Sequence, residues 1–319
     1  MIRHDRIDIT AGSLLVVLCA LWGLTQVAIK LAGMDGLPPM MQAGLRSTGA
    51  AVLLCGWVFV RGGPAGLRRL FRPDGAFWPG MLIAAMFAGE FLCIFPGMQL
   101  TTASRGTLFV YTAPFWVAIG AHFWVPNERL AARQVVGLVC AFAGVGCAVA
   151  DGLWQGGGNF AGDALIALGA AIWGLTTVTI KANRKLQAIP PSKQLLYQLA
   201  GSIPYFFIAA ALFGEFHQYH ATPTAWAWLG YQTVVVAFIT YLAWFWLIAH
   251  YPAGRLSAFS FLTPIFGAVA GALLLHEHVS LELVLALLFV GIGIRLVNGP
   301  RTAPTMRMAA GTALSEPRA

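Results

Sequence analysis

Apolar residues run along this chain in long unbroken stretches. They lack the two-residue alternation of a membrane barrel, whose strands of about ten residues would not need such unbroken apolarity. A helix crossing a bilayer needs roughly 20 mostly apolar residues. Such runs predict ten spans, near 11–31, 39–60, 77–98, 103–124, 132–150, 162–182, 193–214, 224–248, 254–275 and 280–297. Together they take up about two-thirds of the chain. The connections are short and rich in turn formers, as in Gly62-Gly63-Pro64, Gly156-Gly157-Gly158 and Pro190-Pro191. They leave no room for a soluble catalytic domain. The first run follows a basic N-terminus, but it is longer than the about 7–15 apolar residues of a signal peptide. It also ends in Lys30 rather than a small-residue cleavage site, so it reads as a retained helix. Residues 298–319 form a polar tail expected to be disordered.

Composition supports this pattern and removes the alternatives. The chain has 319 residues, 58% of them hydrophobic and 10% charged, against about 25% charged in a soluble domain. Its mean hydropathy is +0.73. A soluble fold, a disordered chain, a disulfide scaffold and a nucleic-acid binder are all excluded on this ground. The expected fold class is therefore an all-α polytopic membrane protein.

The net charge of +8 becomes informative once each basic residue is placed. With the N-terminus in the cytoplasm, the cytoplasmic segments hold Arg3, Arg6, Arg61, Arg68, Arg69, Arg72, Arg129, Arg133, Lys181, Arg184, Lys185, Lys193, Arg255, Arg301, Arg307 and Arg318. Only Lys30 and Arg105 fall outside, while Arg46 and Arg295 lie within helices. Such an excess predicts that both termini are cytoplasmic. Cys19, Cys55, Cys93, Cys140 and Cys147 all fall inside spans without metal-binding spacing, and read as buried apolar side chains.

The chain repeats itself. Residues 20–30 (ALWGLTQVAIK) and 171–181 (AIWGLTTVTIK) agree at eight of eleven positions, at an offset of 151. Residues 103–116 align with 253–266, pairing Ala103 with Ala253, Arg105 with Arg255, Phe109 with Phe259 and Pro114 with Pro264. Glu128 matches Glu277, and Gly144 and Gly146 match Gly291 and Gly293. The expected organisation is a cytoplasmic N-terminus (1–10), a first five-helix repeat (11–150), a second (151–297) and the tail (298–319). Five is odd, so the second repeat must enter the membrane upside down. Inverted repeats of this kind underlie alternating-access carriers.

With these residues in hand, the chain resembles the drug/metabolite transporter superfamily, in particular its ten-helix EamA-type carriers. The resemblance covers about residues 11–297. It rests on the Trp-Gly pairs of spans 1 and 6, Arg46 early in span 2, and the mid-helix prolines of spans 4 and 9. Glu128, Glu277 and the glycine-rich spans 5 and 10 complete it. His276-Glu277-His278 stands where the family usually has a Gly-Glu pair, and spans 2 and 3 match 7 and 8 weakly. The resemblance implies a substrate cavity walled by spans 1–4 and 6–9, scaffolded by spans 5 and 10. It also implies export of amino acids, other metabolites or drugs.

An ionisable residue inside a span costs at least ~2.5–3.5 kcal/mol on insertion scales, so each one needs a reason. Glu90 in span 3 and Arg46 in span 2 both fall roughly 10–12 Å below the outer face at 1.5 Å per residue. They are candidates for binding a substrate amine or coupling a proton (Glu90) and for holding a substrate carboxylate (Arg46). The alternative is a self-satisfied buried ion pair. Pro114 and Pro264 each remove a backbone hydrogen bond at matching depths, which marks a binding site or an ordinary kink. Phe109, Tyr111, Thr112, Phe259 and Ser260 lie beside them. With Trp22, Trp173, Tyr197 and Gln198 they complete the candidate wall. His217, His220, His276 and His278 lie near Glu215 and Glu277 but lack a zinc pattern, and read as solvated loop histidines.

The chain carries no GxxxxGK[ST], HExxH or GxSxG motif. No cofactor or metal is expected. The partners expected are a small-molecule substrate and the lipid bilayer, with no nucleic acid; the chain is a monomer or a homodimer. The expected function is secondary transport of a small organic metabolite, an amino acid or related drug-like solute, exported across a bacterial inner membrane. A passive facilitator or channel, or an intramembrane enzyme, is the alternative.

Overall fold

A computed structural model describes residues 7–100, 109–148, 159–217, 219–267 and 281–299. Within them the chain is helical, with no strand among the described residues. Helix α1 (Ile9–Met34) starts at Asp8, whose carboxylate accepts from Ala11 N at 2.7 Å. Helix α2 (Pro39–Phe71) begins on a proline and breaks at Gly63 (φ 57°), just before Pro64. Such a conformation suits glycine, because an L side chain would be strained there. Helix α3 (Phe77–Leu100) precedes α4 (Ala113–Trp124) and α5 (Ala132–Ala148). In the second half come α6 (Phe160–Ala182), capped by Asn159, then α7 (Pro191–Leu212) and α8 (Pro223–His250). Residues Tyr231–Thr240 of α8 are wound as π-helix. Helix α9 (Ala253–Phe259) runs into a 3₁₀ turn, Ser260–Leu262, and becomes α-helical again at 263–267. Helix α10 spans Leu281–Asn298.

Among the described residues, five helices are long and apolar enough to cross a membrane: Pro39–Phe71, Phe77–Gly97, Phe160–Ala182, Pro191–Leu212 and Pro223–His250. Shorter apolar helices cover Ile9–Thr25, Ala132–Gly146 and Leu288–Asn298. The runs read as spans 4 and 9 are not single helices. The chain turns at Tyr111 and Thr112 before Pro114, and tightens to 3₁₀ before Pro264. Each proline lacks the N–H that would carry the helix through. Arg105, His276, Glu277, His278 and the tail from 300 lie outside the described residues. The protein presents apolar side chains outward, including Val52, Val60, Trp78, Phe123 and Ile208, as a hydrocarbon surround requires.

The helices pack as two bundles. One contains α3, α4 and α6, with α6 against both partners; the other contains α8, α9 and α1, with α1 against both. Exchanging α1–α5 for α6–α10 converts one set into the other. The pairs α2–α7, α4–α9 and α5–α10 map onto themselves. The repeat motif explains how α1 seats on α9 and α6 on α4. A Cβ at Gly23 of α1 would lie 2.8 Å from both the Thr263 carbonyl oxygen and Gly267 N, and 3.1 Å from Phe266 Cβ. At Gly174 of α6 it would lie 2.6 Å from Trp116 Cβ, 3.0 Å from the Ala113 oxygen and 3.1 Å from Val117 N. Only a glycine permits this approach.

Three of the charges assigned to cytoplasmic segments are buried within the protein: Lys181, Lys193 and Arg255 are each 4% exposed. Lys193 pairs with Asp74 and donates to the Arg72 carbonyl oxygen. Partial burial of Asp74 opposes its ionisation. Hydrogen bonds from Lys193 and Ala76 N and the Lys193 charge outweigh it, and hold the carboxyl below its ordinary value. At the other end Glu215 accepts from Met40 N (3.2 Å) and Met41 N (2.8 Å), the first turn of α2. The carboxylate thus satisfies two orphan donors of a helix that begins without a side-chain cap.

Candidate functional site

Between the two bundles lies a cavity of about 130 Å³. It is walled by α1, α2, α3, α6, α7, α8 and the turn before α4. The two copies of the repeat motif face it with the same side chains: Trp22, Thr25 and Ile29 on α1, and Trp173, Thr176 and Ile180 on α6. Spacings of three and four keep these residues on one helical stripe. The walls are mainly aromatic. Phe87 meets Phe91 edge-on at 5.0 Å and Tyr241 at 6.0 Å, and Trp22 meets Trp244 at 5.4 Å. Edge-to-face contacts of this kind fix ring orientation as well as burying area.

Polar groups among these rings are mostly committed to the helices. The Trp22 indole N–H donates to Thr240 Oγ1 at 2.8 Å, and the Thr240 hydroxyl donates to the Val236 carbonyl oxygen at 2.6 Å. Gln232 donates to Gln42 Oε1 at 3.1 Å, joining the π-helical stretch of α8 to α2. Thr25 and Thr176 donate to carbonyl oxygens one turn back, at Leu21 and Ile172.

Arg46 is different. It is 1% exposed, its guanidinium carbon lies 4.4 Å from the Phe91 ring centroid, and it lines the cavity. Its Nε and Nη2 atoms are buried with no hydrogen-bond partner among the described residues. Glu90, 8% exposed, lines the same cavity. The two form no ion pair with each other among the described residues. A buried guanidinium resting on a ring face, with two of its nitrogens lacking a hydrogen-bond acceptor, is costly. A ligand anion would complete it, in the planar two-pronged geometry arginine favours.

Of the residues singled out from sequence, Glu90, Arg46, Trp22, Trp173, Tyr111 and Gln198 line the cavity. Phe109, Thr112, Pro114, Tyr197, Phe259, Ser260 and Pro264 are not among its lining residues. Phe109 packs in the core, and Thr112 spends its hydroxyl on the Phe109 carbonyl oxygen (2.7 Å). Pro114 is buried at the start of α4. Tyr197 lies between Phe77 and Gly80 on the α3–α7 contact. Phe259 accepts a hydrogen bond from Cys19, Ser260 bonds to the Ser257 carbonyl oxygen, and Pro264 is buried. Sequence reasoning missed Thr25, Thr176, Phe87, Phe91, Tyr241 and Trp244. The threonines carried a signal: each follows the repeat tryptophan by three residues, on the same stripe.

The EamA-like transporter family matches the chain twice, over residues 10–150 and 160–299. The uncharacterized transporter YoaV of Bacillus subtilis is 25% identical over 86% of this chain and 91% of its own length. The chloroplastic WAT1-related protein At3g02690 of Arabidopsis thaliana is 27% identical over 88% of this chain and 67% of its own. The uncharacterized inner membrane transporter YedA of Escherichia coli is 25% identical over 83% of each. A solved crystal structure superposes with a TM-score of 0.75 over 91% of this chain and 96% of that one; at 18% identity the likeness is one of fold. The chain, membrane-embedded and twice matched, belongs to the EamA-like transporter family.

Proposed function

We propose that the protein is a secondary carrier with ten spans in two inverted five-helix repeats and both termini in the cytoplasm of a bacterial cell. It exports a small organic metabolite, an amino acid or related solute, by alternating access. The observation that carries this reading is Arg46, buried in an aromatic cavity with two guanidinium nitrogens unpartnered and Glu90 on the same wall. A solute carboxylate takes the arginine, its ammonium faces Glu90, and its apolar part lies against Phe87, Phe91, Trp22 and Trp244. The exchange symmetry of the helix contacts supports the inverted repeat, because two equivalent halves can trade conformations around a fixed site. The cavity-lining positions of the two repeat motifs support the same arrangement.

The test is counter-flow in liposomes. The purified protein, preloaded with a panel of unlabelled amino acids, should accumulate labelled solute in a saturable manner. Arg46→Gln should abolish this for carboxylates. Linear flux without counter-flow points to a channel, and counter-flow unchanged in Arg46→Gln removes the carboxylate reading.

A further inference from the structure

At one end of the cavity, two side chains of the α3/α4/α6 bundle reach across to the other bundle. Lys181, at the end of α6, donates to the carbonyl oxygens of Ile248 and Tyr251, where α8 terminates. It is also 3.9 Å from Glu128, which follows α4. The second Glu128 oxygen accepts from Ala253 N, the first residue of α9, at 2.8 Å. The corner between α8 and α9 is therefore held from both sides by α4 and α6. Tyr251 in turn donates its hydroxyl to Asp8 at 2.8 Å, which fastens that corner to the start of α1 in its own bundle.

These contacts differ from the glycine contacts that seat the helices within each bundle. There α1 meets α9, and α6 meets α4, with a glycine set directly against backbone and Cβ atoms of its neighbour. Across the bundles at this end the contact is an ammonium on carbonyl oxygens and a carboxylate on an amide. A purely structural contact would gain by being apolar, since replacing a buried ion pair with packed hydrophobic groups is often neutral or stabilising. Polar contacts placed where two rigid bodies meet have another property: they break and reform as discrete units, which is what a two-state movement needs.

We propose that Lys181 and Glu128 are gating residues: they lock the two bundles together at this end, and the lock must open for solute to pass there. The inference rests on the carrier reading above and concerns its cycle, not its substrate.

Spin labels on Ile9→Cys and Lys185→Cys test it. Both residues are exposed and lie at this end of α1 and just beyond α6, one on each bundle. In lipid nanodiscs, with the native cysteines replaced, the parent should give one distance distribution. Lys181→Met and Glu128→Gln should each add a second, longer population. A folded variant with the parent's distances, even at lower melting temperature, makes the cluster a structural clasp and overturns the proposal. Loss of the fold in both variants does the same. The distances are read without solute, so this outcome is independent of the counter-flow result.

Discussion

Gly23 meets α9 through the same three positions by which Gly174 meets α4. The contacts at 263, 266 and 267 repeat at 113, 116 and 117, an offset of 150. The Trp-Gly pair thus has two functions on adjacent residues: the tryptophan faces the cavity while the glycine seats the helix in its bundle. Because the neighbours at both sites are backbone atoms and Cβ atoms, neither site can yield by a simple rotamer change. Gly23→Ala and Gly174→Ala should each destabilise the protein by about 1–3 kcal/mol, through overpacking. Equal melting temperatures for variant and parent would show that the helices separate freely.

Arg46 and Glu90 should respond differently to substitution. Arg46→Lys keeps the charge but loses the planar fork and the stacking on Phe91. It should raise the solute concentration for half-maximal counter-flow by at least about tenfold, the equivalent of about 1.4 kcal/mol. Glu90→Gln should weaken flux of zwitterionic solutes more than that of monocarboxylates lacking an amine. Equal losses for both solute classes would take Glu90 away from the ammonium.

Glu215 holds the first turn of α2 by its two amide contacts. Glu215→Ala leaves those donors unmatched and should lower stability by about 1–2 kcal/mol. Solute affinity should stay unchanged, as the residue is not among those lining the cavity. Thermal melting and counter-flow on the same preparation check both halves of this expectation.

Asp74 gives the protein a pH-dependent contribution. Its carboxyl is held below the ordinary value, so the stabilisation is complete above that ordinary value and is lost as pH falls through the depressed one. Asp74→Asn should therefore melt below the parent at pH 7, by about 1 kcal/mol at most, because the carboxylate of the pair is accessible to solvent. The two melting curves should converge as pH drops below about 4, the usual aspartate range. A gap that persists in acid would assign the effect to Asn packing rather than to charge.

The helices were legible because lipid demands long apolar runs, and the duplication because ALWGLTQVAIK and AIWGLTTVTIK survive almost intact. The family follows from the same residues. Less legible was which face of each helix points inward. Phe259, Ser260 and Pro264 are absent from the cavity lining, and uniformly apolar helices carry no polar stripe from which that could be read. Lys181 and Lys193 illustrate a different gap. Counted as charges they belong to loops, yet both are buried against carbonyl oxygens 67 to 121 residues away in sequence. Backbone carbonyls are present at every position, so sequence cannot indicate which ones a lysine will find.

The exchange of contacts between the halves makes each variant its own paired experiment. A substitution at Trp22, Thr25 or Gly23 has a twin at Trp173, Thr176 or Gly174, in the same chain, lipid and preparation. Where twins behave alike, the effect belongs to the ancestral unit. Where they diverge, as with Trp22 bonded to Thr240 while α3 offers no threonine from Phe77 to Leu100, the difference measures how far the copies have specialised since duplication.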